Sequence, residues 1–132
     1  MDVGCGSGIL SIGAALLGCE NVLGIEIDPD AVNVARENVA QNGLSEKIEI
    51  RQGDLTEGVD EKADIIVANL MADLVMKLAE PAAKHLNPDG IFISSGILVE
   101  KKETVAAAIR KAGFKITEIV TDGEWCAIKA QI

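Results

Sequence analysis

The chain opens on MDVGCGSGIL, an acid followed by three glycines at alternate positions, Gly4, Gly6 and Gly8. Such a run fits neither a helix interior nor a strand interior. It reads as the tight turn between a strand and a helix, where missing side chains let a ligand approach the backbone. Short apolar runs and helical patterns then alternate along the chain. A buried helix over ILSIGAALLG is apolar nearly all round and closes on Gly18. NVLGIEI is a strand. Asp28 and Pro29 provide an N-cap and first helical position for a helix whose Val32, Ala35 and Val39 share one face until Asn42-Gly43 stops it. KIEIRQ and ADIIVA are strands, and LMADLVMKLAEPAAKHL is a helix bent or interrupted at Pro81. GIFISSG is a further strand, followed by a helix from about Glu100 to Ala112 that closes on Gly113. The last two runs, FKITEIV and EWCAIKAQI, are separated by TDG alone, too short for a crossover helix, so they pair antiparallel as a hairpin. The pattern is α/β: a mostly parallel sheet with helices on both faces and an antiparallel C-terminal hairpin strand. Ligands of such sheets sit at the carboxyl ends of the strands.

Composition narrows the function. With 132 residues, 48% of them hydrophobic, the chain is expected to form one domain with a real core. A formal net charge of −9 disfavours direct nucleic-acid binding. The three cysteines, Cys5, Cys19 and Cys126, form neither a CxxC pair nor an even set, which points to no disulfide framework, no metal and a reducing, cytoplasmic setting. The longest apolar run falls short of the ~18 residues of a membrane span, so no membrane association is expected.

A dinucleotide fingerprint places glycines at the first, third and sixth positions of the turn. Here the sixth is Ile9, and the third glycine is Gly8. The resulting DxGxGxG resembles the first motif of class I S-adenosylmethionine-dependent methyltransferases, which implies a Rossmann-like sheet and S-adenosyl-L-methionine as cofactor. The resemblance implies that Asp2, Gly4, Cys5, Gly6 and Gly8 form the loop around the cofactor's amino-acid end. Eighteen residues beyond Gly8, Glu26 ends the second strand, where a carboxylate can accept both ribose hydroxyls; Ile27 comes next in the same cofactor site. QGDL after the third strand puts Asp54 where the family commonly holds the adenine amino group.

The fourth strand runs into IIVANLMADLV. Many amine methyltransferases carry an Asn or Asp followed by prolines at this point, orienting the substrate nitrogen with the carboxamide oxygen and the next backbone carbonyl. This chain has Asn69 and Leu70 there but no proline, and Asn69 is equally suited to cap a helix beginning near Leu70. VANLMAD, SSGIL and GEWCAI resemble, in order and spacing, the bacterial methyltransferases of ribosomal large-subunit protein eleven, over the chain from Asp2 to the C-terminus. That family methylates lysine side chains and the N-terminal amine of its substrate. The resemblance gives Asn69 and Leu70 the catalytic role of aiming the amine, with Asn69 also beside the cofactor. It further implies that residues 1–132 are a catalytic domain whose first strand is truncated to Met1, Asp2 and Val3 and whose N-terminal substrate-recognition domain is absent from the chain. His85 is expected at the surface, away from the strand ends. Trp125 is expected in the core of the final hairpin, and Ser94, Ser95 and Gly96 either shape the pocket or serve packing. Alternatives are a related class I methyltransferase with another substrate, a non-catalytic cofactor-binding module and an NAD-binding oxidoreductase domain.

Overall fold

The computed structural model describes all 132 residues, which form two compact units, Met1–Gly58 and Val59–Ile132. In the first, strands β1 (Asp2–Val3), β2 (Val22–Glu26) and β3 (Ile48–Gln52) alternate with helices α1 (Ile9–Leu16) and α2 (Pro29–Gln41). The strands lie in the order β3-β2-β1, all parallel, with Asp2 opposite Gly24, and Val22 to Glu26 opposite Ile48 to Gln52. Parallel register brings all three carboxyl ends to one edge. Val32, Ala35 and Val39 of α2 pack with Val22, Ile48 and Ile50, burying the face predicted from their spacing.

Glycine ends the helices as expected. At Gly18 the amide of the next residue, Cys19, reaches back to Ala14, and at Gly43 that of Leu44 reaches back to Val39. Both glycines have positive φ, 114° and 67°, which any side chain would resist. The buried helix expected at ILSIGAALLG is overturned. Only Ser11 and Ala15 of α1 are buried, whereas Ile9 is 72% and Leu17 90% exposed. A two-turn helix packing along one i, i+4 stripe covers that stripe alone, however apolar its other faces.

The second unit contains β4 (Ala63–Asn69), α3 (Ala72–His85), β5 (Leu86–Leu98), a 3-10 turn (Val99–Lys101), α4 (Lys102–Lys111), β6 (Lys115–Asp122) and β7 (Trp125–Gln131). Its strand order is β4-β5-β7-β6: β4 and β5 are parallel, and β7 runs antiparallel to both β5 and β6. The hairpin turns at Gly123, φ 58°, and sets β7, the last strand, inside β6. Phe92, Ile97, Val105, Ile109 and Ile128 are fully buried, and the Phe92 and Phe114 rings lie 5.4 Å apart.

An interruption of α3 and a core position for Trp125 are both overturned here. Helix α3 runs through Pro81 without interruption. Pro81 removes one amide donor, but Leu78, Ala79 and Ala82 around it are buried, and that packing holds the helix together. Trp125 is 52% exposed, not core. Strand alternation explains it: Cys126, Ile128 and Ala130 face inward, so Trp125 stands on the opposite face.

Over the whole chain the architecture is α/β, with seven strands, mostly parallel but antiparallel at the C-terminus, and four helices. No helix is long and apolar enough to cross a membrane.

Candidate functional site

The first unit carries the glycine turn. After β1, the amides of Gly4 and Cys5 both donate to the Ile25 carbonyl, at 2.8 and 3.0 Å, which anchors the turn on β2. Gly4, Gly6 and Gly8 all take positive φ, 73°, 52° and 85°, a left-handed backbone that favours glycine at all three positions. Gly8 starts α1 without a capping side chain. Helix α2, by contrast, has its first turn capped by Asp28, which accepts from the Asp30 amide at 2.9 Å. Space opens above Gly6, where a Cβ would meet nothing within 4 Å.

Glu26 closes the turn from the end of β2. Its Oε1 accepts from the Gly6 amide at 2.9 Å and its Oε2 from the Asp28 amide at 3.0 Å. Two backbone donors therefore fix the carboxylate plane, and each oxygen keeps a lone pair for a further donor. Vicinal hydroxyls match that arrangement. Ile27, the next residue, is 60% exposed. At the end of β3 the Gly53 amide donates to the Glu26 carbonyl at 3.0 Å, holding the start of the Asp54 turn against β2. Asp54 itself is half-buried. Beside it Leu55 has φ 52°, a left-handed conformation costly for leucine that nothing in the sequence signals.

Asp2 and Cys5 lie beneath the turn rather than on it. Asp2 is buried and its Oδ2 accepts from Ser11 Oγ at 2.7 Å. Burial raises its pKa above the usual carboxylate value, against the lowering effect of the Ser11 hydrogen bond. Burial also pushes the Cys5 thiol up to about 12, helped by the charges of Asp2 and Glu26, so it stays protonated and serves packing. A Cβ on Gly24 would stand 3.0 Å from Ser11 Oγ and 3.2 Å from Cys5 Sγ; the bare β2 backbone makes room for both. Spacing alone singles out neither Ser11 nor Gly24. The one available signal is that Ser11 is the only polar side chain in α1.

In the second unit, β4 ends at Asn69, opposite Ser95 of β5, and the Leu70 amide donates to the Ser95 carbonyl at 3.1 Å. Helix α3 begins at Ala72 with Met71 at the N-cap position, and no side chain caps it. The capping role open to Asn69 is therefore excluded. Its carboxamide lies instead over Gly96, φ 76°, where a Cβ would overlap Asn69 Oδ1 and stand 3.2 Å from the Leu70 carbonyl oxygen. Ser94, just before, is fully buried with its hydroxyl unpartnered. His85 sits at the opposite end of α3, half-buried, its Nδ1 3.0 Å from the Glu61 carbonyl, and takes no part in this turn.

Known proteins resemble this chain over its whole length. The family model described as ribosomal protein L11 methyltransferase (PrmA) matches residues 1–132. A ribosomal protein L11 methyltransferase of Heliobacterium modesticaldum is 50% identical over 99% of this chain, and one of Alkaliphilus oremlandii is 45% identical over the same share. The chain spans 42% of the length of each of these curated relatives. Among solved structures, a ribosomal protein L11 methylase from Lactobacillus delbrueckii subsp. bulgaricus superposes with a TM-score of 0.94 at 36% identity, covering 98% of this chain and 67% of the other. An RNA methyltransferase from Salinibacter ruber, solved with S-adenosyl-L-homocysteine, gives 0.79 at 27% identity, covering 99% of this chain and 78% of the other.

Proposed function

Because this chain belongs to the ribosomal protein L11 methyltransferase family, we propose that it is the cofactor-binding and catalytic part of an S-adenosylmethionine-dependent N-methyltransferase acting in the cytoplasm on amino groups of ribosomal protein L11. The observation that carries the cofactor assignment is the Glu26 carboxylate held by the Gly6 amide at the rim of the glycine turn. S-adenosylmethionine, when bound, supplies an electrophilic methyl group on a sulfonium, and this chain's residues fit it. Glu26 receives the two ribose hydroxyls, Gly4, Gly6 and Gly8 expose backbone to the amino-acid end, and Asp54 accepts from the adenine amino group. Ile27 contributes apolar surface. Asp2 and Cys5 act from below by holding the turn, and Ile9 stands where a pyrophosphate-binding turn needs its last glycine.

A lysine amine, with a reference pKa of about 10.4, arrives protonated and must release a proton to solvent water to expose its lone pair. Desolvation at the site favours the neutral amine. Asn69 Oδ1 and the Leu70 carbonyl then accept the remaining N–H bonds and fix the direction of the lone pair, which is catalysis by positioning. Asn69 also borders the cofactor. Selection of one protein among many amines draws, on this proposal, on an N-terminal recognition domain carried by segments of the relatives outside the 132 residues. Supplying those segments should raise transfer, because remote binding energy supports the reacting step.

Isothermal titration with S-adenosylmethionine, its demethylated product and NADH tests the cofactor. Binding of the first two without NADH is expected, and the reverse would return the fold to a dinucleotide role. Radiolabelled methyl transfer to protein L11, with and without the N-terminal part of a relative joined to this chain, tests substrate and recognition together. Equal rates would place recognition within these residues.

A further inference from the structure

Building on the amine-orienting role of Asn69 and Leu70, we infer that Gly96 is a positioning residue for methyl transfer: its missing side chain forms the seat on which the two acceptor oxygens stand together. In the ladder between β5 and β7, Ser94 faces Ile128 and Ile97 faces Cys126, so Ser95 and Gly96 together oppose the single residue Ala127. This is a β-bulge, the device that bends a strand and re-aims its side chains. On the other side of β5, Asn69 is in register with Ser95 and the Leu70 amide is tied to the Ser95 carbonyl at 3.1 Å. The bulge therefore delivers residue 96 directly under the Asn69–Leu70 backbone. A Cβ there would overlap Asn69 Oδ1 and crowd the Leu70 carbonyl oxygen at 3.2 Å. Both oxygens lie within 3.2 Å of that one vacant position, close enough together for two N–H groups of one nitrogen to reach both from the open side of this point. Any side chain at 96 would drive the carboxamide off that point and leave the amine with one acceptor.

Positive φ alone would also select glycine, so the conformational and spatial roles have to be separated. Gly58 provides the control, with φ 74° against 76° at Gly96 and nothing within 4 Å of a Cβ. Gly58→Ala carries the same backbone strain and fills no seat.

The experiment compares wild-type, Gly96→Ala, Asn69→Ala, the double variant and Gly58→Ala. Titration reads affinity for S-adenosylmethionine, and single-turnover methyl transfer, with the chain in excess over protein L11, reads slow rates as well as fast ones. Gly96→Ala is expected to slow transfer tenfold or more, by about the same factor as Asn69→Ala, with cofactor affinity unchanged. The double variant should be no slower than Asn69→Ala, since the seat has no further use once its occupant is gone. Gly58→Ala should transfer at the wild-type rate. If Asn69→Ala slows transfer and Gly96→Ala does not, or if the two losses multiply, the inference is wrong while the amine-orienting role stands. If Asn69→Ala itself leaves transfer intact, that role fails and takes the inference with it. Should Gly96→Ala not fold, recovery of folding in the double variant supports the seat, because the carboxamide is all that separates the two proteins. A double variant that stays unfolded overturns it.

Discussion

Two glycine sites, the turn after β1 in the first unit and the bulge within β5 in the second, need glycine for different reasons. At Gly6 the left-handed backbone is the requirement, and the volume beside it is empty. At Gly96 the backbone is also left-handed, yet the volume is already taken by Asn69 and Leu70. What lies beneath them differs too. The first turn rests on a satisfied polar pair, Asp2 with Ser11, and the bulge has Ser94 beside it with a buried hydroxyl and no partner. A glycine in a motif is therefore not one kind of evidence: it leaves space open in one place and yields it to a neighbour in another.

The largest effect should come from Glu26→Ala, which strips the first turn of its acceptor. Two charge-assisted hydrogen bonds at about 1.5–3 kcal/mol each predict a loss of S-adenosylmethionine affinity of at least about a hundredfold by titration. An unchanged affinity would reduce the turn to a packing feature.

Gly6→Ala probes the empty volume directly. Forcing alanine into a left-handed conformation costs about 1–2 kcal/mol of stability. The same cost is expected for Gly43→Ala, φ 67° with nothing near its Cβ. Only Gly6→Ala should also weaken cofactor binding, and equal binding by both variants would show that no ligand uses that space.

Beneath the first turn, Ser11→Ala leaves a buried carboxylate without its donor and should cost about 1–3 kcal/mol in urea unfolding. Asp2 adds a pH dependence. Burial raises its folded-state pKa above the ordinary value of 3.8, so its contribution to stability is whole below that value and is lost as pH rises through the folded one. Asp2→Asn removes this loss, so its stability relative to wild type should grow with pH across that window. A constant difference would mean the carboxylate titrates alike in both states.

The smallest effect belongs to the bulge in β5. Ser94→Ala deletes a fully buried hydroxyl that has no partner and should stabilise the protein by up to about 1 kcal/mol. Destabilisation would reveal a hydrogen bond that the fold keeps for this serine.

Alternation of apolar runs with capped helical patterns is enough to anticipate the strand and helix order, because Gly18, Gly43 and Gly113 end helices by a local rule. Each places the following amide on a carbonyl of the last turn, Cys19 on Ala14, Leu44 on Val39 and Phe114 on Ile109. Burial is less legible. The exposure of α1 and of Trp125 depends on which face meets a neighbour, and composition does not carry that information. The same holds for Asn69. A cap and an amine ligand share one residue type, and only the start of α3 at Ala72 excludes the cap. Glu26 can be singled out by its place at a strand end, whereas Ser11, Gly24 and the strained Leu55 act through contacts or angles that no spacing reports.

Strand β6 carries a consequence beyond catalysis. It bonds to β7 on one side, and every residue from Glu118 to Asp122 is exposed, Ile119 and Val120 among them. Its outer row of amides and carbonyls is a template for a strand from another copy, the starting point of cross-β aggregation. Lys115, Glu118 and Asp122 punctuate the strand with charge, and a net charge of −9 keeps copies apart at neutral pH. With a sequence pI near 4.5, that repulsion vanishes in mild acid, and this edge is then the expected place for two copies to join sheet to sheet.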